Sequence, residues 1–329
     1  MARKATNTLL QKAKKQKSDE FYTLLPDIER ELQYYEGQFK DKVVFCNCDD
    51  PRTSNFYRYF AENFKRLGLR KLIAACYKED ECNLFNTSAD ESGFYYIYTG
   101  DTIQSAIPDD DELQYFNGNG DFRSHESINL LKESDIIVTN PPFSLFREYI
   151  ALLIKYNKKF LVIGNINAIT YKEIFQLIKE NKVWLGVNLG RGISGFKVPE
   201  HYELYGTEVK IDQSGNRIIS PNNCLWLTNI DNSLRNEDLP LTKLYAGNEE
   251  SYQQYDNYNG INVDRTTDIP MDYAGDMGVP ITFLHKFNPN QFEIIKFRKG
   301  NDGKDLSING KCPYFRILIR NKRIAQTTI

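Results

Sequence analysis

The chain of 329 residues carries 42 Lys and Arg against 44 Asp and Glu, with 41% apolar and 26% charged residues. This balance is ordinary for a soluble globular protein, long enough for one large or two modest domains with a well-buried core. Apolar stretches such as Ile150–Ile154 and Phe160–Ile163 fall far short of a membrane span, and the basic N-terminal segment lacks the apolar core and cleavage site of a signal peptide. Six cysteines without C-x-x-C spacing and three scattered histidines argue against a zinc site or a disulfide framework, so no metal is expected and a reducing cytoplasm fits best.

A net charge of −2 speaks against a DNA binder, but the charge is unevenly placed. Residues 1–17 hold six basic residues and no acid, and residues 296–323 hold nine basic residues against Asp302 and Asp305. The remainder holds 27 basic and 42 acidic residues. Two basic ends on an acidic body fit either a phosphate-binding surface or solvated tails.

Along the chain, Pro26 opens an amphipathic helix with Ile28, Leu32, Tyr35 and Phe39 on one face. Val43–Cys46 reads as a buried parallel strand. Ser54 caps a helix carrying Phe56, Phe60, Phe64 and Leu67, which Gly68 stops. Leu72–Tyr77 reads as the next strand. Residues 78–118 interrupt the rhythm with a hairpin candidate, Phe94–Tyr98 turning at Thr99–Asp101, and an acidic run, Asp109–Glu112. The alternation resumes with a helix at Ser124–Lys132, strand Asp135–Thr139, helix Phe143–Lys155 and strand Phe160–Gly164. A helix with a capping box of Thr170 and Glu173 and strand Val183–Val187 follow. Beyond about residue 195 short strands take over (Glu208–Ile211, Arg217–Ile219, Cys224–Ile230), and 231–280 reads as irregular. Strands alternating with helices predict an α/β fold, a doubly wound and mostly parallel sheet, whose ligands bind beyond the carboxyl ends of the strands.

The sharpest chemical signal follows such a strand: Asn140-Pro141-Pro142-Phe143. Two prolines remove backbone donors and hold the chain extended. The Asn140 amide oxygen and the Pro141 carbonyl can then accept both hydrogens of an amino group, which turns the nitrogen lone pair toward an electrophile. Phe143 offers a flat face for an extruded base. A bare tetrapeptide of this kind is as often a strand-ending turn; its place after a central strand favours chemistry. Upstream, Asp121 can accept a hydrogen bond from an adenine amino group while Phe122 packs on the purine. At the end of the first strand, the turn of Asp49, Asp50 and Pro51 can hold a cofactor's amino group or ribose, although tight turns use the same residues. Glu79 is the nearest acid after the second strand, a candidate ribose ligand.

The segments DEFYT, NCDDPR, GDFRS, NPPF, ITYKE, WLGV, GFKVPEHYELYGTE and KCPYFRIL, in this order over nearly the whole chain, resemble the EcoRI-type adenine-specific DNA methyltransferases. The resemblance implies the methyltransferase fold, S-adenosylmethionine as cofactor, double-stranded DNA as partner, and methylation of an adenine within GAATTC in a restriction–modification system. It implies that Phe21, Tyr22 and Thr23 line the methionine end of the cofactor, that Asp121 and Phe122 hold its adenine, and that Asn140–Phe143 hold the target base. Phe196 stands where a second aromatic would pack on that base. One departure is that Cys46–Pro51 contains no glycine, where cofactor loops of this superfamily are glycine-rich.

These readings divide the chain into a basic arm (1–17), a cofactor and catalytic domain (18–195, with the insertion 78–118) and a target-recognition region (196–329), part of it available to complete the catalytic sheet. Lys12, Lys14, Lys15, Lys17 and Arg191 are the phosphate-contact candidates; Arg191, Lys197 and His201 are positional candidates for base reading. A monomer is expected. The alternatives are a methyltransferase of an RNA base or protein glutamine, which shares Asn-Pro-Pro-aromatic motifs, and an inactive nucleic-acid-binding module.

Overall fold

The computed structural model describes residues 22–78, 92–101, 106–189, 193–198, 209–212, 215–219 and 223–324. Strand β1 (Tyr22–Thr23) leads into helix α1 (Leu25–Leu32), with Pro26 in its first turn. The predicted helix is longer than the observed one: it ends at Leu32, but a turn and a short 3-10 segment still bury Tyr35 and Phe39. The uncharged run Val43–Asn47 forms β2. Ser54 caps α2 (Asn55–Glu62) by accepting from the backbone N–H groups of Phe56 and Tyr57. Asn63 separates α2 from α3 (Phe64–Leu67), its side-chain amide donating to the Tyr59 carbonyl at 2.8 Å. Gly68 then closes α3 at φ +65°, a left-handed cap that suits glycine.

Strand β3 (Lys71–Cys76) is followed by β4 (Phe94–Tyr98) and β5 (Gln114–Tyr115) from within the insertion. β4 pairs backward with β3, Leu72 opposite Tyr98, and with β5, so the insertion widens the sheet. Next come α4 (His125–Glu133), β6 (Ile136–Thr139), α5 (Phe146–Lys155), β7 (Lys159–Asn165), α6 (Lys172–Lys179) and β8 (Trp184–Leu189). Before α6 the Thr170 hydroxyl donates to the Asn167 carbonyl, and Tyr171 lies between it and the first helical residue. Strands β9 (Phe196–Lys197), β10 (Val209–Ile211), β11 (Arg217–Ile219) and β12 (Cys224–Thr228) follow.

The main sheet has the order β5-β4-β3-β2-β6-β7-β12-β8. Its centre, β3-β2-β6-β7, is parallel. β4 runs antiparallel to β3, and β12 to β7, so the sheet is mixed. Val44, Cys46, Leu72, Ala74, Val138 and Leu161 share one apolar cluster with Ile28, Leu32, Phe56 and Phe60 from α1 and α2. The alternate residues Val43, Phe45, Ile73, Ile137, Phe160 and Val162 are equally buried. Both faces are therefore covered, which is why these strands read as continuous apolar runs. A second sheet, β1-β9-β11-β10, is antiparallel.

The chain divides into two units, Met1–Ile174 with Gly186–Ile230, and Phe175–Leu185 with Asp231–Ile329. The second unit holds β13 (Gly260–Asn262), β14 (Asp276–Pro280), β15 (Phe292–Phe297) and β16 (Arg316–Asn321) in the order β13-β14-β16-β15. Met277, Phe283, Phe292, Ile317 and Ile319 are buried there. Among the described residues no helix is long and apolar enough to cross a membrane.

Within the first unit, α1 carries a fully buried carboxylate, Glu31. It accepts from the Val187 and Asn188 N–H groups at 2.8 Å each, from Asn188 Nδ2 at 2.9 Å and from the Tyr35 hydroxyl at 2.9 Å. Burial pushes its carboxyl above the ordinary value, and these bonds pull the other way. A Cβ at Gly186 would collide with this carboxylate and with Trp226, so the strand approaches α1 only because that residue is glycine. Every partner of Glu31 is a donor. Glu31→Gln turns an amide N–H toward one of them and should cost about 1.5–3 kcal/mol. The urea midpoint should fall with the slope unchanged; an unaltered midpoint would show that the clamp carries no stability.

Candidate active site

The chain leaves β2 toward β3 on one side and returns to place β6 on the other, so the carboxyl ends of β2, β3 and β6 diverge around a crevice. A cavity of about 340 Å³ lies there, within the size range of small-molecule sites. Its wall brings together Tyr22 and Thr23 from β1, Asp49 and Asp50 after β2, Asp121 and Phe122 before α4, and Asn140 and Pro142 after β6. Pro51, Pro141, Phe143 and Phe196 are not part of that wall.

The turn after β2 folds back over β3, with the Cys48 and Asp49 N–H groups both donating to the Ala75 carbonyl at 3.1 and 2.8 Å. The turn needs a positive φ and, without a glycine, gives it to Cys48 at +115°. Asp49 is 8% exposed; its Oδ1 accepts from Ser54 Oγ at 2.5 Å and its Oδ2 from Thr139 Oγ1 at 2.6 Å. Burial raises this carboxyl to about 6, against the two hydroxyl bonds that favour its charge. Asp50 is instead held by Arg52, whose backbone N–H and guanidinium both reach it.

On the opposite wall, Asp121 accepts from the Arg123 N–H at 2.8 Å and from its guanidinium at 2.9 and 2.7 Å. The Arg123 side chain holds the carboxyl below its ordinary value, and the same guanidinium bridges to Glu148 at 2.8 Å. Gly120 precedes it at φ +79°, where a Cβ would strike the Cys76 carbonyl. Phe122 is 5% exposed, edge-on to Tyr149 at 5.1 Å, so most of its ring serves packing.

Past β6, Pro142 is extended at φ −54° and ψ 124°, and a short 3-10 turn begins at Phe143. Phe143 is partly exposed, with its ring against Phe196 at 6.4 Å and 77°. Phe196 itself is 0% exposed. Its ring therefore backs Phe143 and has no free face of its own. Lys197, its neighbour, is exposed. Phe21, Glu79, Lys12, Lys14, Lys15, Lys17, Arg191 and His201 lie outside the described residues.

Two wall residues, Asn47 and Ser54, have no site role in the sequence reading. Asn47 is 2% exposed, and its Nδ2 has no hydrogen-bond partner among the described residues; the same holds for Thr23 Oγ1. Buried polar atoms of this kind normally have partners, so both fit a polar ligand in the cavity. Ser54 reads as a cap and Thr139 as a strand end, and nothing in their spacing reveals that both grip Asp49.

An acid-lined cavity at the switch point of the α/β sheet, adjoining an Asn-Pro-Pro-Phe turn, fits the class expected from the sequence, a methyltransferase that acts on an amino group. The family model described as adenine-specific methyltransferase EcoRI matches residues 9–322. The chain is 69% identical to the Type II methyltransferase M.EcoRI of Escherichia coli, over 98% of its own length and 99% of the relative's. It is 38% identical to a Type II methyltransferase of Mycoplasma genitalium and 36% identical to M.MpnI of Mycoplasma pneumoniae, in each case over 95% of this chain and 98% of the relative. No solved structure matches it. The chain belongs to the EcoRI family of adenine-specific methyltransferases.

The strained turn can be tested apart from catalysis. Cys48→Gly should keep or raise stability by up to about 1 kcal/mol, because glycine tolerates the positive φ at an entropic cost. Cys48→Val should lower it by about 1–3 kcal/mol. Denaturant melts of equal midpoint for Val and Gly would show that the backbone is not strained there.

Proposed function

We propose that this adenine-specific methyltransferase moves a methyl group from S-adenosylmethionine to the exocyclic N6 of an adenine flipped out of duplex DNA. On this reading it protects GAATTC in a restriction–modification pair and acts as a cytoplasmic monomer without a metal. The observation that carries the proposal is a shared cavity: Asn140 lines the same wall as Asp49, Asp121 and Thr23. The parallel centre and its switch point support a doubly wound methyltransferase fold.

The wall suits the cofactor. Thr23 Oγ1 and Asn47 Nδ2 offer it polar atoms, Asp49 and Asp50 offer charge to its amino acid or ribose end, and Asp121 accepts from its adenine amino group. When bound, the cofactor supplies an electrophilic methyl group on a sulfonium. The target amino group is a weak nucleophile because its lone pair is spread into the ring. Asn140 and the Pro141 carbonyl accept its two hydrogens, localise the lone pair and stabilise the positive charge that builds on nitrogen. On receiving the methyl group the target nitrogen would give up one proton to solvent, and no basic side chain is required. Phe143 holds the extruded ring, backed by Phe196.

Duplex DNA as the partner draws on the basic ends. Of the C-terminal group, Arg316, Arg320 and Arg323 pair with Asp264, Asp276 and Asp238. Lys299, Lys304 and Lys311 are exposed between β15 and β16, near the exposed Tyr314, and are assigned to phosphate together with the arm at 1–17. The segment after residue 195 is assigned to sequence reading.

Two experiments test the reading. Asp49 is ionised above about 6 and attracts a cationic ligand only in that form. Cofactor affinity measured by calorimetry should therefore weaken as pH falls from 7.5 to 5, and Asp49→Asn should remove most of that dependence; an equally steep pH profile in the variant would take Asp49 out of the site. In single-turnover methylation of DNA with 2-aminopurine at the target, Asn140→Ala should lose about 100-fold or more in rate while cofactor and DNA still bind. Phe143→Ala should lose about 1–3 kcal/mol of base capture, with a weaker flipping signal. Near-parental turnover in Asn140→Ala would overturn the mechanism.

A further inference from the structure

Helix α1 carries two fully buried carboxylates one turn apart, Asp27 and Glu31, and the chemistry above uses neither. Glu31 grips the backbone at Val187 and Asn188. Asp27 grips the same stretch of chain farther along: its Oδ2 accepts from the Ser194 N–H at 2.8 Å and its Oδ1 from Ser194 Oγ at 2.6 Å, with Arg30 Nη1 at 3.2 Å. Two residues after Ser194 comes Phe196, whose buried ring meets Phe143 edge-on. The backbone of Phe196 is held from the other side as well, since Thr23 of the cavity wall pairs with it across β1 and β9.

We infer that Asp27 is a positioning residue for base capture: through Ser194 it sets where Phe196 lies, and so the height and tilt of Phe143 above the target base. The inference rests on the stacking role proposed for Phe143. A buried carboxylate is costly to keep unless its bonds are made. At Asp27 they are made to a backbone amide and a hydroxyl of one residue, which fixes that residue in direction as well as distance. Phe143 sits on a short 3-10 turn and leans on a neighbour that α1 locates. Asp49, Asp121 and Asn47 of the cofactor wall take no bond from Asp27 or Ser194, so removing the grip acts on the base side first.

The experiment uses the full chain and a GAATTC duplex with 2-aminopurine at the target adenine, read for flipping fluorescence, cofactor affinity and single-turnover rate. Ser194→Ala and Asp27→Asn should each lower the flipping signal about fivefold, while cofactor affinity stays within about twofold of the parent. Ser194→Thr, which retains both donors, should keep most of the signal. In a Phe196→Leu background neither substitution should add a further loss, because all three act through one contact. Full flipping in Ser194→Ala overturns the inference, as does an additive loss in the Phe196→Leu background or an equal loss of cofactor binding. If Asp27→Asn does not fold, Ser194→Ala decides alone. Phe143→Ala separates the two levels: an undiminished signal there overturns the stacking role and this inference together. A signal lost in Phe143→Ala but kept in Ser194→Ala overturns only this one.

Discussion

The Asp49 carboxylate ties together the ends of three elements that line the cavity. It follows β2, takes the hydroxyl hydrogen of Ser54 at the start of α2, and takes that of Thr139 at the end of β6. Ser54 spends its oxygen on the first N–H groups of α2 and its hydrogen on Asp49, so a single hydroxyl caps the helix and orients the acid. Thr139 is the residue before Asn140. The proposed catalytic Asn140 thus directly follows a residue that is hydrogen-bonded to the carboxylate proposed to face the cofactor. A buried acid with only two hydroxyl partners keeps a raised pKa, which leaves its charge responsive to whatever enters the cavity.

The second constraint is the small antiparallel sheet built from both ends of the first unit. β1 lies far from β9 in sequence, yet Tyr22 and Thr23 pair with Lys197 and Phe196. α1 follows β1 without a loop and fastens the chain before β9 with Glu31 and Asp27. A lone two-residue strand has little stability of its own. It is held here because α1 buries Ile28 and Leu32 in the main core and carries β1 with it.

Charge is spent in a similar way. The C-terminal segment reads as strongly basic, but three of its arginines are tied to acids within the second unit, and Arg316 is almost buried among Asn262 and Asp264. Internal pairing of this kind neutralises those arginines locally while leaving a few lysines exposed on one loop. Local distribution, more than the sum, governs attraction to phosphate.

Much of the first unit was legible in the sequence for local reasons. The apolar runs at Val43, Leu72, Ile136 and Phe160 are strands because both of their faces are buried, and Ser54 and Gly68 mark helix ends by their own chemistry. Asn140–Phe143 and Asp121 stood out because each follows or precedes such an element. What could not be read was anything that depends on distance across the fold. β4 was taken for half of a local hairpin; it pairs with the next strand, β5, and on its other edge with β3, because strand pairing is decided by which edge is open. The missing glycine after β2 left open how that turn is made, and the answer, a positive φ at Cys48, exists only once the turn is pinned to Ala75. Phe196 was placed beside the base by position alone, and tertiary packing put its ring wholly in the core behind Phe143. Sequence by itself determined the elements, the family and the motif proposed to react, since propensity, caps and motif order are local. Only the tertiary structure decided which acid is buried, which aromatic is exposed and what holds each, because burial and hydrogen bonding belong to the packed whole.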